Sequence, residues 1–274
     1  MAATDVFDLD AYLERIGLDG RPTVEQVHRA HAIAIPFENL DPRRGVPASL
    51  HVSDLQRKLV TERRGGYCFE QNLLLAEALE ALGCEIELML ARPRMRNPAL
   101  NALPVIRPLT HCALRVTDAD GLIWHADVGF GLGTPLRPLS WGPGEVHEFD
   151  GWRYRVVSDG DEFVLQDEAD GAWRDLYVMD ARPVLRVDYE TSNWLASTYP
   201  RHPMVRGLIV SANRPDGSRV AISDWSGALV LTEQRPGAEP VVTALTIDEA
   251  RAALADRFGL DAALLDGYEP PRAH

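Results

Sequence analysis

Cysteine, positive charge and long apolar runs are all scarce in this chain, and each shortage narrows what it can be. Its 274 residues include three cysteines, Cys68, Cys84 and Cys112. That odd trio has neither the spacing of a metal site nor the even count of a disulfide framework, so no metal and a reduced, cytoplasmic setting are expected. No stretch approaches eighteen uninterrupted apolar residues, which predicts no membrane span. The opening MAATDVFDLDAYLERIG lacks the basic and apolar segments of a secretory leader, and none is expected. The formal net charge is −13, without a long basic run, which argues against a general nucleic-acid or acidic-membrane binder. A local arginine cluster can still hold an anionic ligand against that field. Repeats and low-complexity segments are missing too. What remains, 46% hydrophobic and 25% charged residues, is ordinary globular composition with ample length for a core.

The texture of the chain changes near residue 85. Before it, Leu9, Tyr12, Leu13 and Ile16 recur at helical spacing and Gly17 marks an end. Thr23 with Gln26, and Ser53 with Gln56, have the spacing of capping boxes at helix starts. Between them Pro36 and Pro42 hold IPFENLDP extended. After Gly83, short strand-like runs such as EIELMLARPR, THCALRV, LIWHADVGF and GWRYRVV alternate with Gly, Asp and Pro turns, which predicts an antiparallel sheet or barrel over 86–195. Further strands follow, and a last helix opens at a third box, Thr246 with Glu249.

The stretch Arg63-Arg64-Gly65-Gly66-Tyr67-Cys68-Phe69-Glu70-Gln71-Asn72 stands out. Two glycines offer a tight turn, a cysteine follows, and LLLAEALEAL then continues as helix to Gly83. Cys68 is thus predicted at the first turn of a helix, where the dipole favours thiolate and unused N–H groups can meet an oxyanion. A nucleophile so placed requires a base, and the base an orienting group.

One hairpin supplies both. Cys112, Leu114, Val116, Leu122, Trp124, Ala126 and Val128 are apolar and all even-numbered, which predicts one buried face across the turn at Asp118–Gly121. His111, Arg115, His125 and Asp127 then share the other. One register puts His111 directly across from Asp127; the next makes them diagonal neighbours, still within imidazole–carboxylate reach. A histidine backed by a carboxylate can take the thiol proton. Cys112 alternates onto the apolar face, and Cys84 reads as a small packing residue. His125 competes with His111, since it shares that face.

In their order and spacing IPFENLD, RGGYCFEQN, THCALRV and HADVGFG resemble the arylamine N-acetyltransferases. The resemblance implies an α+β multidomain fold with a cysteine-protease-like Cys-His-Asp core. A helical bundle (1–85) would carry Cys68, a central antiparallel β-barrel (86–195) His111 and Asp127, and an α/β lid (196–274) would close the site. It implies catalysis by Cys68, His111 and Asp127, choosing His111 over His125. Phe37, Thr110, Gly129, Phe130, Gly131 and Met204 would line the substrate and acyl-CoA pocket. Acetyl-CoA would be the co-substrate, with no metal, and arylamines, hydrazines or arylhydroxylamines the acceptors in a ping-pong cycle of xenobiotic metabolism. The small-molecule amine and acetyl-CoA would be the partners, with a homodimer left open. Two positions depart from the family pattern: His125, which adds a titratable group near Asp127, and Met204, where a phenylalanine is commoner. Rival readings are an amide synthase closing macrolactams on carrier-bound polyketides, a Cys-His-Asp hydrolase, and a catalytically silent binding module.

Overall fold

Asp8 starts the first helix, accepting the Ala11 N–H at 3.0 Å before α1 (Leu9–Ile16), and Gly17 closes it with φ at 75°. In this computed structural model, which describes residues 7–94, 107–169, 171–180, 182 and 184–269, the box at Thr23 and Gln26 opens α2 (Val24–Ala34) as predicted. The box expected at Ser53 and Gln56 does not form. His51 precedes the short helix Val52–Leu55, Ser53 lies inside it, and the chain continues as a π-helical stretch over Gln56–Thr61.

The long helix α3 (Cys68–Ala81) is apolar on nearly every side, with Phe69, Leu74, Leu75, Ala78 and Leu79 all fully buried. Its start is braced by charge. Glu70 accepts the Tyr67 N–H at 3.1 Å and the Lys58 ammonium at 2.7 Å. Lys58, the only lysine in the chain, also reaches Asp41 at 2.8 Å, while Arg64 pairs with Glu38 at 2.7 Å and Asp41 at 2.8 Å. Burial works against the charge on Lys58, but Glu70, Glu38 and Asp41 outweigh it and raise the pKa above the usual lysine value. Removing the cation strands buried carboxylates. Lys58→Met is therefore expected to destabilise the fold by about 3–5 kcal/mol in urea unfolding, and a loss under ~1 kcal/mol would mean that the network is dispensable.

The glycines before Cys68 serve another purpose than the tight turn expected of them. The left-handed residue there is Arg63 (φ 53°), whereas neither Gly65 nor Gly66 has positive φ. A Cβ on Gly65 would sit 2.2 Å from the Pro36 carbonyl oxygen, and one on Gly66 2.9 Å from the Glu70 Cβ. Bare backbone lets the short strand β1 (Phe37–Glu38) lie against this loop, where the Glu38 N–H donates to the Gly66 carbonyl at 3.0 Å.

Beyond α3 come β2 (Glu85–Pro93), β3 (His111–Thr117), β4 (Ile123–Ala126), β5 (Leu139–Ser140), β6 (Val146–Phe149), β7 (Trp152–Asp159), β8 (Glu162–Ala169) and β9 (Ala172–Asp180). Antiparallel pairing in the order β5-β4-β3-β2-β9-β8-β7-β6 makes one sheet, nearly closed as a barrel. Arg115 faces His125 across β3 and β4, so His111 and Asp127 take the diagonal register. Cys112, Leu114, Val116, Ala126 and Val128 are buried as their parity predicts. Leu122 is not. It lies in the turn before β4 and is 55% exposed, because the strand starts one residue later.

Helix α4 (Arg186–Thr198) leads from the barrel to a second sheet, β10 (Ile209–Asn213), β11 (Arg219–Ser223), β12 (Val230–Gln234) and β13 (Val241–Ala244). The edge strand beside β10 is β1, contributed by the helical part of the chain. Capped by Thr246 and Glu249 as predicted, α5 (Ile247–Phe258) buries Ala250, Leu254 and Phe258 against Val210 and Ile222. Among the described residues no helix is long and apolar enough to cross a membrane.

Candidate active site

Cys68 is the first residue of α3, and its Sγ lies 3.8 Å from the Thr110 carbonyl oxygen. The thiol is buried. That burial, with Cys112 and Asp127 close by, pushes its pKa up, while the Phe69 N–H at the helix end pulls the other way. The helix-end N–H favours the thiolate, as the position of Cys68 predicts, but burial outweighs it, so an acceptor for the proton is required.

His111, the residue after Thr110, opens β3 and is turned by Asp127. Its Nε2 lies 2.8 Å from Asp127 Oδ2. Asp127 is buried, which by itself would raise its pKa. His111, Asn72 and the Gly129 N–H all bond its oxygens and hold it well below the usual carboxylate range. An ionised carboxylate only accepts, so Nε2 carries the hydrogen and Nδ1 keeps the free lone pair. The His111 ring is held edge-on to Phe130, centroids 4.8 Å apart, and against Tyr177 at 4.6 Å.

Cys68 and His111 face one cavity of about 460 Å³, and Phe37, Thr110, Gly129, Phe130, Gly131 and Met204 all border it. Thr110 presents its carbonyl to the thiol; its hydroxyl bonds back to Pro108 at 3.4 Å. Gly129 borders the cavity as expected and also packs against protein: a Cβ there would stand 2.7 Å from the Cys68 Cα. Among the described residues no group of three or more His, Cys, Asp or Glu could hold a metal ion.

A buried thiol and a carboxylate-backed imidazole on one apolar cavity are an arrangement capable of acyl transfer. The N-acetyltransferase family profile matches residues 22–265 of the chain. An arylamine N-acetyltransferase of Mycolicibacterium smegmatis is 37% identical over 270 residues, 96% of this chain and 95% of that protein. The chain belongs to the arylamine N-acetyltransferase family. An arylamine N-acetyltransferase of Escherichia coli is 32% identical over 79% of this chain and 77% of its own. The solved structure of the Mycobacterium marinum arylamine N-acetyltransferase in complex with CoA superposes with a TM-score of 0.86 at 33% identity, covering 96% of this chain and 95% of that one. This is a family of acyltransferase enzymes.

Several residues of this acetyltransferase site escaped the sequence reading. Asn72, one helical turn beyond Cys68, donates to Asp127 Oδ1 at 2.9 Å and the Cys112 carbonyl at 2.8 Å, and accepts the Val128 N–H at 3.0 Å. Its i, i+4 spacing from Cys68 was the available signal. His28 on α2 accepts the Asp127 N–H at 3.1 Å; burial lowers its pKa to about 3, so it is neutral. Tyr189 donates to the Cys112 sulfur at 2.9 Å. Nothing in the spacing of His28 or Tyr189 pointed to Asp127 or Cys112. His125, expected as a second titratable group, is shifted towards its neutral form: burial lowers its pKa to about 4, and its Nε2 bonds the Tyr177 hydroxyl at 2.7 Å.

Proposed function

We propose that this enzyme moves an acetyl group from acetyl-CoA to an arylamine, hydrazine or arylhydroxylamine through a thioester on Cys68, in a ping-pong cycle. The observation that carries this reading is the His111–Asp127 bond of 2.8 Å beside a cysteine at the start of α3, facing the same cavity. The CoA complex of the M. marinum relative supports the donor, and the names of the relatives support the acceptor class. His111 Nδ1 takes the thiol proton as sulfur attacks the acetyl carbonyl. The bond to the CoA sulfur then breaks, and CoA leaves as the thiol with that proton. The amine nitrogen next attacks the thioester, gives its proton to His111, and releases Cys68 as the acetylated amine departs. The Cys68 N–H, a helix-end donor, meets the oxyanion in both steps. Phe130 and Met204 border the acceptor space, one rigid and stacking, the other adaptable.

Acetyl-CoA added without acceptor is expected to increase the protein mass by one acetyl group, mapped to the Cys68 peptide and discharged by an arylamine. A Cys68→Ser variant that took up acetyl elsewhere, or acetyl lost to water as fast as it formed, would overturn the assignment. The second outcome is what a hydrolase would give.

A further inference from the structure

Arg219 opens β11 in the second sheet and is 1% exposed, a place where an arginine is costly unless its donors are met. Its side chain leaves that sheet for the barrel. The guanidinium lies over the Trp152 ring of β7, 4.0 Å from the centroid, and Nη2 donates to the Tyr154 hydroxyl on the same strand. Two further bonds converge on one turn: Nη1 donates to the Leu132 carbonyl at 2.5 Å and Nη2 to the Thr134 carbonyl at 3.1 Å. A planar fork can hold two carbonyls at once in a fixed relation, which a point charge cannot.

That turn, Gly131–Gly133, follows Phe130 and borders the cavity beside Cys68. It is closed by its own bonds. The Thr134 N–H donates to the Gly131 carbonyl at 3.1 Å, and the Thr134 hydroxyl accepts the Phe130 N–H at 2.9 Å. Holding the carbonyls of Leu132 and Thr134 therefore holds the Phe130 backbone. The Phe130 ring stands edge-on to His111 with centroids 4.8 Å apart, and Tyr177 packs on both rings at 4.6 and 5.0 Å. The bond to Asp127 fixes one atom of the imidazole; the rings beside it set its plane. From Arg219 to the His111 ring, each step is a contact.

We propose that Arg219 is a positioning residue for the acetylation of Cys68. Its fork sets the turn at 131–134, the turn sets Phe130, and Phe130 keeps the imidazole in the plane from which Nδ1 takes the thiol proton. The proposal rests on the acetyl-transfer reading above. The variants compared with the unaltered enzyme are Arg219→Met, Arg219→Lys, Thr134→Val, Phe130→Ala, and Arg219→Met combined with Phe130→Ala. CoA release on mixing with excess acetyl-CoA, without acceptor, is followed in stopped flow. Each variant is measured well below its own unfolding temperature, read by circular dichroism.

Arg219→Met is expected to slow CoA release about 10- to 100-fold, the range for a reacting group displaced by up to about 1 Å. Arg219→Lys should fall in between, since a point charge replaces a fork. Thr134→Val leaves the Phe130 N–H without its acceptor and should slow release in the same sense. With Phe130 already alanine, Arg219→Met should add less than about twofold, because the ring it positions is gone. Equal factors in both backgrounds would show that Arg219 acts by another route and overturn the proposal, as would unchanged release in folded Arg219→Met. Should that variant not fold, Arg219→Lys and Thr134→Val decide: slowed release in both upholds the proposal, and unchanged release in either overturns it. Failure of the unaltered enzyme to release CoA would instead overturn the acetyl-transfer reading, and it shows before any variant is compared.

Discussion

Asp127→Asn is expected to slow acetylation of Cys68 by about 10⁴-fold, the loss seen when a triad carboxylate becomes an amide and the histidine takes the wrong tautomer. Asp127 is surrounded by donors: His111 Nε2 at 2.8 Å, Asn72 Nδ2 at 2.9 Å and the Gly129 N–H at 2.8 Å. A carboxylate accepts from all three. An amide has one acceptor oxygen, and Asn72 and the Gly129 N–H both use Oδ1, so the amide oxygen settles there and its NH₂ faces His111. That NH₂ can only donate, so Nε2 must give up its hydrogen and the proton moves to Nδ1. The base that would serve Cys68 is then occupied. CoA release in stopped flow measures the effect, and circular dichroism checks that the variant is folded. A loss of less than tenfold would show that Asp127 does not govern the tautomer.

Gly129→Ala is expected to cost both stability and rate, for a reason that lies in the backbone rather than in a ligand. The added methyl would stand 2.7 Å from the Cys68 Cα, 3.0 Å from Asn72 Nδ2 and 3.1 Å from the Cys68 carbonyl oxygen. Two of those three atoms are main chain, so a rotamer change cannot relieve the crowding. Overpacking of this kind typically destabilises by about 1–3 kcal/mol. The start of α3 is pushed from the end of β4 and from Asp127 just beyond it, and a shift near 1 Å in a reacting group can lower rate about 100-fold. Thermal unfolding and the Cys68 acetylation rate read the two effects separately. An alanine variant with unchanged acetylation would mean that α3 and this strand can separate without consequence for the thiol.

Much of this was legible in the sequence because the signals are short-range. Thr23 with Gln26, and Thr246 with Glu249, cap helices through contacts three residues apart, and the alternation of β3 and β4 buried Cys112, Leu114 and Val116 while putting His111 and Asp127 on the opposite side. Ser53 misled because a capping-box spacing occurs by chance, and here the helix already begins at Val52. Leu122 misled because parity continued past the strand end into an exposed turn.

The sequence alone determined where a cysteine would meet a helix start and which hairpin could bring a histidine to a carboxylate, since helix and strand periodicity act within a few residues. The tertiary structure decided the rest. It chose the diagonal register, turned Asn72 and His28 onto Asp127, and withdrew His125 into a bond with Tyr177. It gave Gly65 and Gly129 their purpose as places where two backbones touch. Each of these depends on segments far apart in the chain being pressed together, and burial then sets which groups keep their charge.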